Sequence, residues 1–175
     1  ISDSILIATT RCFAPLSDER QVGAARRADG SFVVVWLDAE HFYTDGSLKA
    51  RAFDASMQPL TAEITVRSDL EERAKAPSIA VRSDGGFLVV WERELGASPD
   101  DIDVFARLYD VDGIALGAEF RVNTYTDRLQ YDPYVATTSG DDFVVTWLDY
   151  ARGSHVFCRL FDSDGSALTD EVPVD

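Results

Sequence analysis

The chain has 175 residues, 46% of them hydrophobic and 11% aromatic, enough to build a sizeable apolar core, so it is not a disordered segment. Its net charge of −15 works against nucleic acid or an anionic membrane surface as partner, whereas a cation or a neutral ligand such as a glycan is compatible with that field. Only Cys12 and Cys158 occur, which excludes a disulfide framework and a zinc cluster and leaves a single Cys12–Cys158 bridge as the one pairing available.

The chain opens at Ile1 without a charged leader or an apolar run of membrane length, so it reads as a mature or excised piece. Residues 4–10 form the first predicted strand, an extra copy of the strand called d below. A strand a over residues 22–26 follows. The turn Ala28-Asp29-Gly30 leads into strand b at 32–36, Phe-Val-Val-Val-Trp, whose unbroken apolarity predicts cover on both faces. Strand c is predicted over 48–54 and strand d over 63–67.

The same order then returns twice. Strands a, b, c and d are expected at 78–81, 87–91, 104–110 and 119–123, and again at 134–137, 143–147, 156–162 and 171–174. The a-to-b turns, Ser83-Asp84-Gly85-Gly86 and Ser139-Gly140-Asp141, carry hairpin chemistry, with glycine expected to supply the positive φ. The c-to-d turns Asp110-Val111-Asp112-Gly113 and Asp162-Ser163-Asp164-Gly165 match each other, while the first copy carries Ser56-Met57 in place of the glycine. No helix is expected beyond a single turn between residues 69 and 75.

A unit of four antiparallel strands repeated about every 55 residues predicts an all-β fold. The expected fold is a β-propeller-type array of three four-stranded blades, with a β-sandwich as the alternative. The blades span 21–67, 77–123 and 133–175 of a single repeat domain, after an extra strand and linker in 1–20. Three blades are too few for a ring, since propellers usually need about four to eight. The chain is therefore expected to associate with itself, most simply as two copies making six blades, or to be an excerpt of a longer array.

The a-to-b and c-to-d turns are short and repetitive, whereas the b-to-c and d-to-a links are long and differ in every copy. Long irregular links on one rim of a rigid scaffold are where a ligand is expected. Trp36, Trp91 and Trp147 end strand b beside those links, either as platforms for sugar rings or as core pillars between blades. His41, Tyr43, Tyr150 and His155 complete the candidate ligand-binding set. Arg51, Arg107 and Arg159 each precede an aspartate by three residues, and Arg51 with Asp54, Arg107 with Asp110 and Arg159 with Asp162 are read as repeated structural pairs.

The sequence requires no cofactor and offers no metal ligand set. Calcium is the one ion left open: the Asp-x-Asp-Gly turns resemble calcium loops in outline but lack the ligand spacing, and the acidic segment 100–103 is a second candidate. Catalytic motifs are absent, so no catalytic residue is assigned, and a glycan-active enzyme ranks below a binding module and a structural oligomerisation domain.

The run from Asp84 to Trp91, then Val104 to Gly113, then Leu116 to Thr124 resembles a tandem repeat of large secreted bacterial adhesin and calcium-repeat proteins. That resemblance implies an extracellular or cell-surface location, a propeller-like scaffold and a role in adhesion, with a glycan or cell-surface ligand as partner.

Overall fold

The computed structural model describes residues 22–38, 46–68, 73–96 and 101–175. It is all-β, with three four-stranded antiparallel sheets following one another along the chain. The first holds β1 (Val22–Arg26), β2 (Phe32–Asp38), β3 (Ser47–Phe53) and β4 (Ile64–Arg67). The second holds β5 (Ala74–Val81), β6 (Phe87–Glu94), β7 (Ile102–Tyr109) and β8 (Phe120–Arg121). The third holds β9 (Gln130–Thr137), β10 (Phe143–Asp149), β11 (His155–Phe161) and β12 (Val172–Pro173). Every sheet is a plain meander, and the innermost strands β1, β5 and β9 pack side by side. This is a propeller-type array of three blades.

Side chains alternate across a strand, and the blades use both sets. Phe87, Val89 and Trp91 of β6 pack with Val33 and Val35 of blade 1, while Leu88 and Val90 pack with Phe143, Val145 and Trp147 of blade 3. Counted from its opening phenylalanine, each second strand turns its first, third and fifth residues to the side of the preceding blade and its second and fourth to the side of the following one. Of the three second strands, only β6 is covered on both faces. In β2 and β10 the burial alternates, which corrects the expectation of two-sided cover for every copy of strand b: a strand in an end blade has a neighbour on one side only.

The turns obey the repeat with informative exceptions. Gly30 and Gly85 take φ of 89° and 86° in the a-to-b turns, but in blade 3 the left-handed residue is Asp141 at 65°, not the neighbouring Gly140. Asp141 also binds across the junction, accepting the Ser83 backbone N–H at 2.8 Å and the Ser83 hydroxyl. In the c-to-d turns Gly113 and Gly165 take φ of 81° and 85°, and Met57 holds the same conformation at 67°.

Residues 4–10, the helical turn expected from 69 to 75 and the Cys12 thiol fall wholly or partly outside the described residues. Cys158 is a free, half-buried thiol. Among the described residues no helix is long and apolar enough to cross a membrane.

Candidate functional site

The antiparallel meander puts all a-to-b and c-to-d turns on one rim and the long links on the other. The long-link rim is built most fully at the junction of blades 2 and 3. Two β-bulges shape it: Ala76-Pro77 in β5 oppose Trp91, and Asp132-Pro133 in β9 oppose Trp147. In each, the residue before proline has positive φ, 46° at Ala76 and 53° at Asp132. A bulge bends its strand and redirects a side chain, and such strain tends to gather at functional sites. At Ala76 there is only a methyl to redirect. At Asp132 there is a carboxylate, on the innermost strand of blade 3.

Asp132 is fixed from the neighbouring blade. Its backbone N–H donates to Glu92 Oε1 at 2.7 Å. Glu92 is 8% exposed and occupies the place held by Leu37 and Leu148 in the other two copies. A carboxylate buried where the repeat calls for leucine costs free energy unless hydrogen-bonded, and the bulge supplies a donor.

Around the same strand end lie two fully buried aspartates. Asp103 takes Asn123 Nδ2 at 2.6 Å and Arg121 Nη1 at 3.2 Å. Asp149, opposite Gln130 in the ladder, takes the Arg152 backbone N–H at 3.0 Å and Arg152 Nε at 2.6 Å. Both carboxylates are thereby committed to holding the links that carry the rim.

Arg152 organises the link of blade 3. Its guanidinium lies 3.6 Å from the Phe157 ring centre and 4.9 Å from that of Tyr125, and Nη2 reaches Glu171 Oε2 at 2.6 Å. Burial works against the Arg152 cation and against the Glu171 anion, but the bonds outweigh it in both. Asp149 and Glu171 hold Arg152 above its ordinary pKa, and the Thr124 backbone N–H, Arg152 and the Thr124 hydroxyl hold Glu171 below the usual carboxylate range. The repeated glutamate does the same work elsewhere: Glu63 meets Lys49 at 2.6 Å, and Glu119 meets Arg67 at 2.7 Å and Arg93 at 2.6 Å. It is a structural anchor in all three blades.

Of the residues singled out from the sequence, Trp91 and Trp147 are 0% and 1% exposed and serve as pillars within the two cores, so neither offers a face to a sugar. Trp36 is half-buried on the outer face of blade 1. Tyr150 lies on the long-link rim, 49% exposed, and His155 opens β11 with Nδ1 3.4 Å from Asp175 Oδ1. His41 and Tyr43 lie outside the described residues.

The arginine–aspartate pairs are replaced by a division of labour. Arg51, Arg107 and Arg159 donate through Nε to the carbonyls of Thr61, Gly117 and Thr169 at 3.0–3.1 Å, and each lies over the aromatic ring two residues on. Asp54, Asp110 and Asp162 instead accept two backbone N–H groups from their own turns at 2.8–3.0 Å. Hairpin chemistry accounts for these aspartates, and no group of three or more metal-ligating side chains occurs among the described residues.

Glu92, Asp132 and the exposed Tyr125 and Asp127 were not singled out from the sequence. Setting the copies in register would have found Glu92, since it breaks a Leu-Glu-Leu column. Asp132 needed the bulge.

No family model and no curated protein matches the sequence. Solved structures do. A Hadza microbial sialidase superposes with a TM-score of 0.61 at 12% identity, over 85% of this chain and 36% of its own. An α-L-arabinanase of Penicillium chrysogenum, complexed with arabinobiose, gives 0.56 at 15% over 88% and 45%. An α-L-arabinofuranosidase from Lactobacillus brevis gives 0.51 at 11% over 95% and 60%. The chain therefore spans between about a third and three fifths of the length of these structures. At such identities the likeness establishes the propeller fold. It also counts against the order of functional readings reached from the sequence, which put a non-enzymatic binding and adhesion module first and a glycan-active enzyme last: the three structures are a sialidase, an arabinanase and an arabinofuranosidase.

Proposed function

We propose that this chain is part of a glycan-active propeller enzyme whose substrate lies on the long-link rim at the junction of blades 2 and 3. The observation that carries the reading is Glu92: a buried carboxylate in a leucine column, bonded to the backbone of a strained aspartate, in a fold shared with a sialidase and arabinan-cleaving enzymes. Cleaving a glycosidic bond requires two carboxyl groups, one to protonate the leaving oxygen and one to attack or to activate water. Asp132 and the exposed Asp127, five residues earlier on the same entry to β9, supply that pair. Glu92 positions the first of them. Tyr150, 49% exposed on this rim, and the side of the 38% exposed Tyr125 away from Arg152 offer apolar faces to sugar rings, the role that the buried tryptophans do not fill.

The test is initial-rate measurement on aryl α-L-arabinofuranosides and aryl sialosides. Wild type is expected to turn over one class, and D132N and D127N to lose about a hundredfold or more, the worth of a general acid or base. Turnover of neither class by wild type, or undiminished rates in both variants, would overturn the proposal.

A further inference from the structure

The two internal junctions share a set of contacts that, among the described residues, neither end of the array carries. Arg27 of blade 1 reaches the c-to-d turn of blade 2, its Nη2 donating to the Val111 carbonyl at 3.0 Å. Arg82, at the same place in blade 2, donates through Nη1 to the Ser163 carbonyl of blade 3 at 2.8 Å. The residue at that place in blade 3 is Thr138, whose hydroxyl accepts the Gly140 N–H of its own turn at 3.2 Å and is far too short to span a junction.

The innermost strands show a second difference. Gly23 lets β1 lie close to β5, since a Cβ there would sit 3.3 Å from the Pro77 carbonyl, and Ser78 in β5 accepts the Val135 N–H of β9 at 3.3 Å. The matching residue of β9 is Tyr134, 44% exposed. A further blade cannot bring its backbone as close to a tyrosine as to a glycine or serine.

The receiving side differs as well. The Gly113 turn is pressed against Ile64 of blade 1, with an added Cβ only 2.2 Å from Ile64 Cδ1, and the Gly165 turn is pressed against Phe120 of blade 2, with its added Cβ 3.1 Å from Cε1. Blade 1 carries Met57 at this place, 69% exposed and with φ of 67°. The residue of blade 3 at the place of Ile64 and Phe120 is Val172. A valine Cγ standing where Ile64 Cγ1 stands would be 2.9 Å from a Cβ on this turn, closer than real Cβ contacts come, so it would run into Met57.

We infer that the two end faces are not mates for each other, so a second copy does not dock end to end through the junction used inside the chain. Blade 1 accepts only a preceding blade with a small residue where Ile64 and Phe120 stand. The six-bladed dimer expected from the sequence would need the internal junction twice over and has it at neither end. This holds whether or not the rim is catalytic.

The test restores the junction. Wild-type chain is expected to run as a monomer of 19.3 kDa by light scattering. The donor-side variant Y134S/T138R and the receiving-side variant M57G, each alone, should remain monomeric, while an equimolar mixture of the two should form a complex of twice the mass. M57G removes strain from an exposed turn, so at least one variant folds at no cost, and circular dichroism checks the other. A wild-type dimer, or a mixture of folded variants that stays monomeric, would overturn the inference.

Discussion

Met57, Gly113 and Gly165 occupy one place in three copies of one turn, and their surroundings decide what each substitution does. Gly113→Ala must adopt positive φ and meet Ile64, so a loss of about 2–4 kcal/mol is expected. Met57→Gly relieves an exposed left-handed methionine and should gain about 1 kcal/mol. Urea denaturation of the two variants reads the opposite signs directly. Glu171 gives a residue-scale prediction in pH. Its carboxyl is held below the ordinary value of 4.5, so below that value the unfolded chain takes up the proton first. The stabilisation is present above 4.5 and is lost as pH falls through the lowered folded value, and Glu171→Gln should flatten this stretch of the stability profile. At this scale the sequence was legible where one residue fixes its own backbone, as the turn aspartates do. It was silent where a partner decides: the arginine three residues before Asp54 finds the Thr61 carbonyl, and nothing in the spacing says so.

The three second strands read almost alike, yet they are different elements. β6 is covered on both faces, while β2 and β10 each show one half-open face. Leu88→Ala, in a residue with no exposure and neighbours in two blades, should cost about 2–5 kcal/mol. Val34→Ala, half-buried on the outer face of blade 1, should cost less than about 1.5 kcal/mol. Thermal unfolding of the pair tests this. Strand positions were readable because a run of β-branched residues between turn signals needs no tertiary knowledge. Which copy sits in the middle was not, since burial belongs to the stack. The bulge at Asp132 escaped for the same reason: it arises where β9 must pass Trp147 and meet Glu92.

For the whole molecule, repetition revealed the architecture and also hid the chemistry. Three matching copies point to blades that bury their faces on one another. The same habit of matching drew attention to Trp36, Trp91 and Trp147, which recur because the cores need them, and away from Glu92, which does not recur. Function on a repeat scaffold is better sought where a copy departs from the pattern. The long-link rim at blades 2 and 3 gathers such departures, in the glutamate of the leucine column and in the strained aspartate beside it.

The most direct measurement is amide hydrogen exchange of the intact chain without ligand, with arabino-oligosaccharide and with sialyl-oligosaccharide, one of which is expected to bind. Slowed exchange confined to residues 124–132 and 150–155 is the predicted result. Protection on the opposite rim, at the turns of Gly30, Gly85, Gly113 and Gly165, would contradict the assignment of the substrate face.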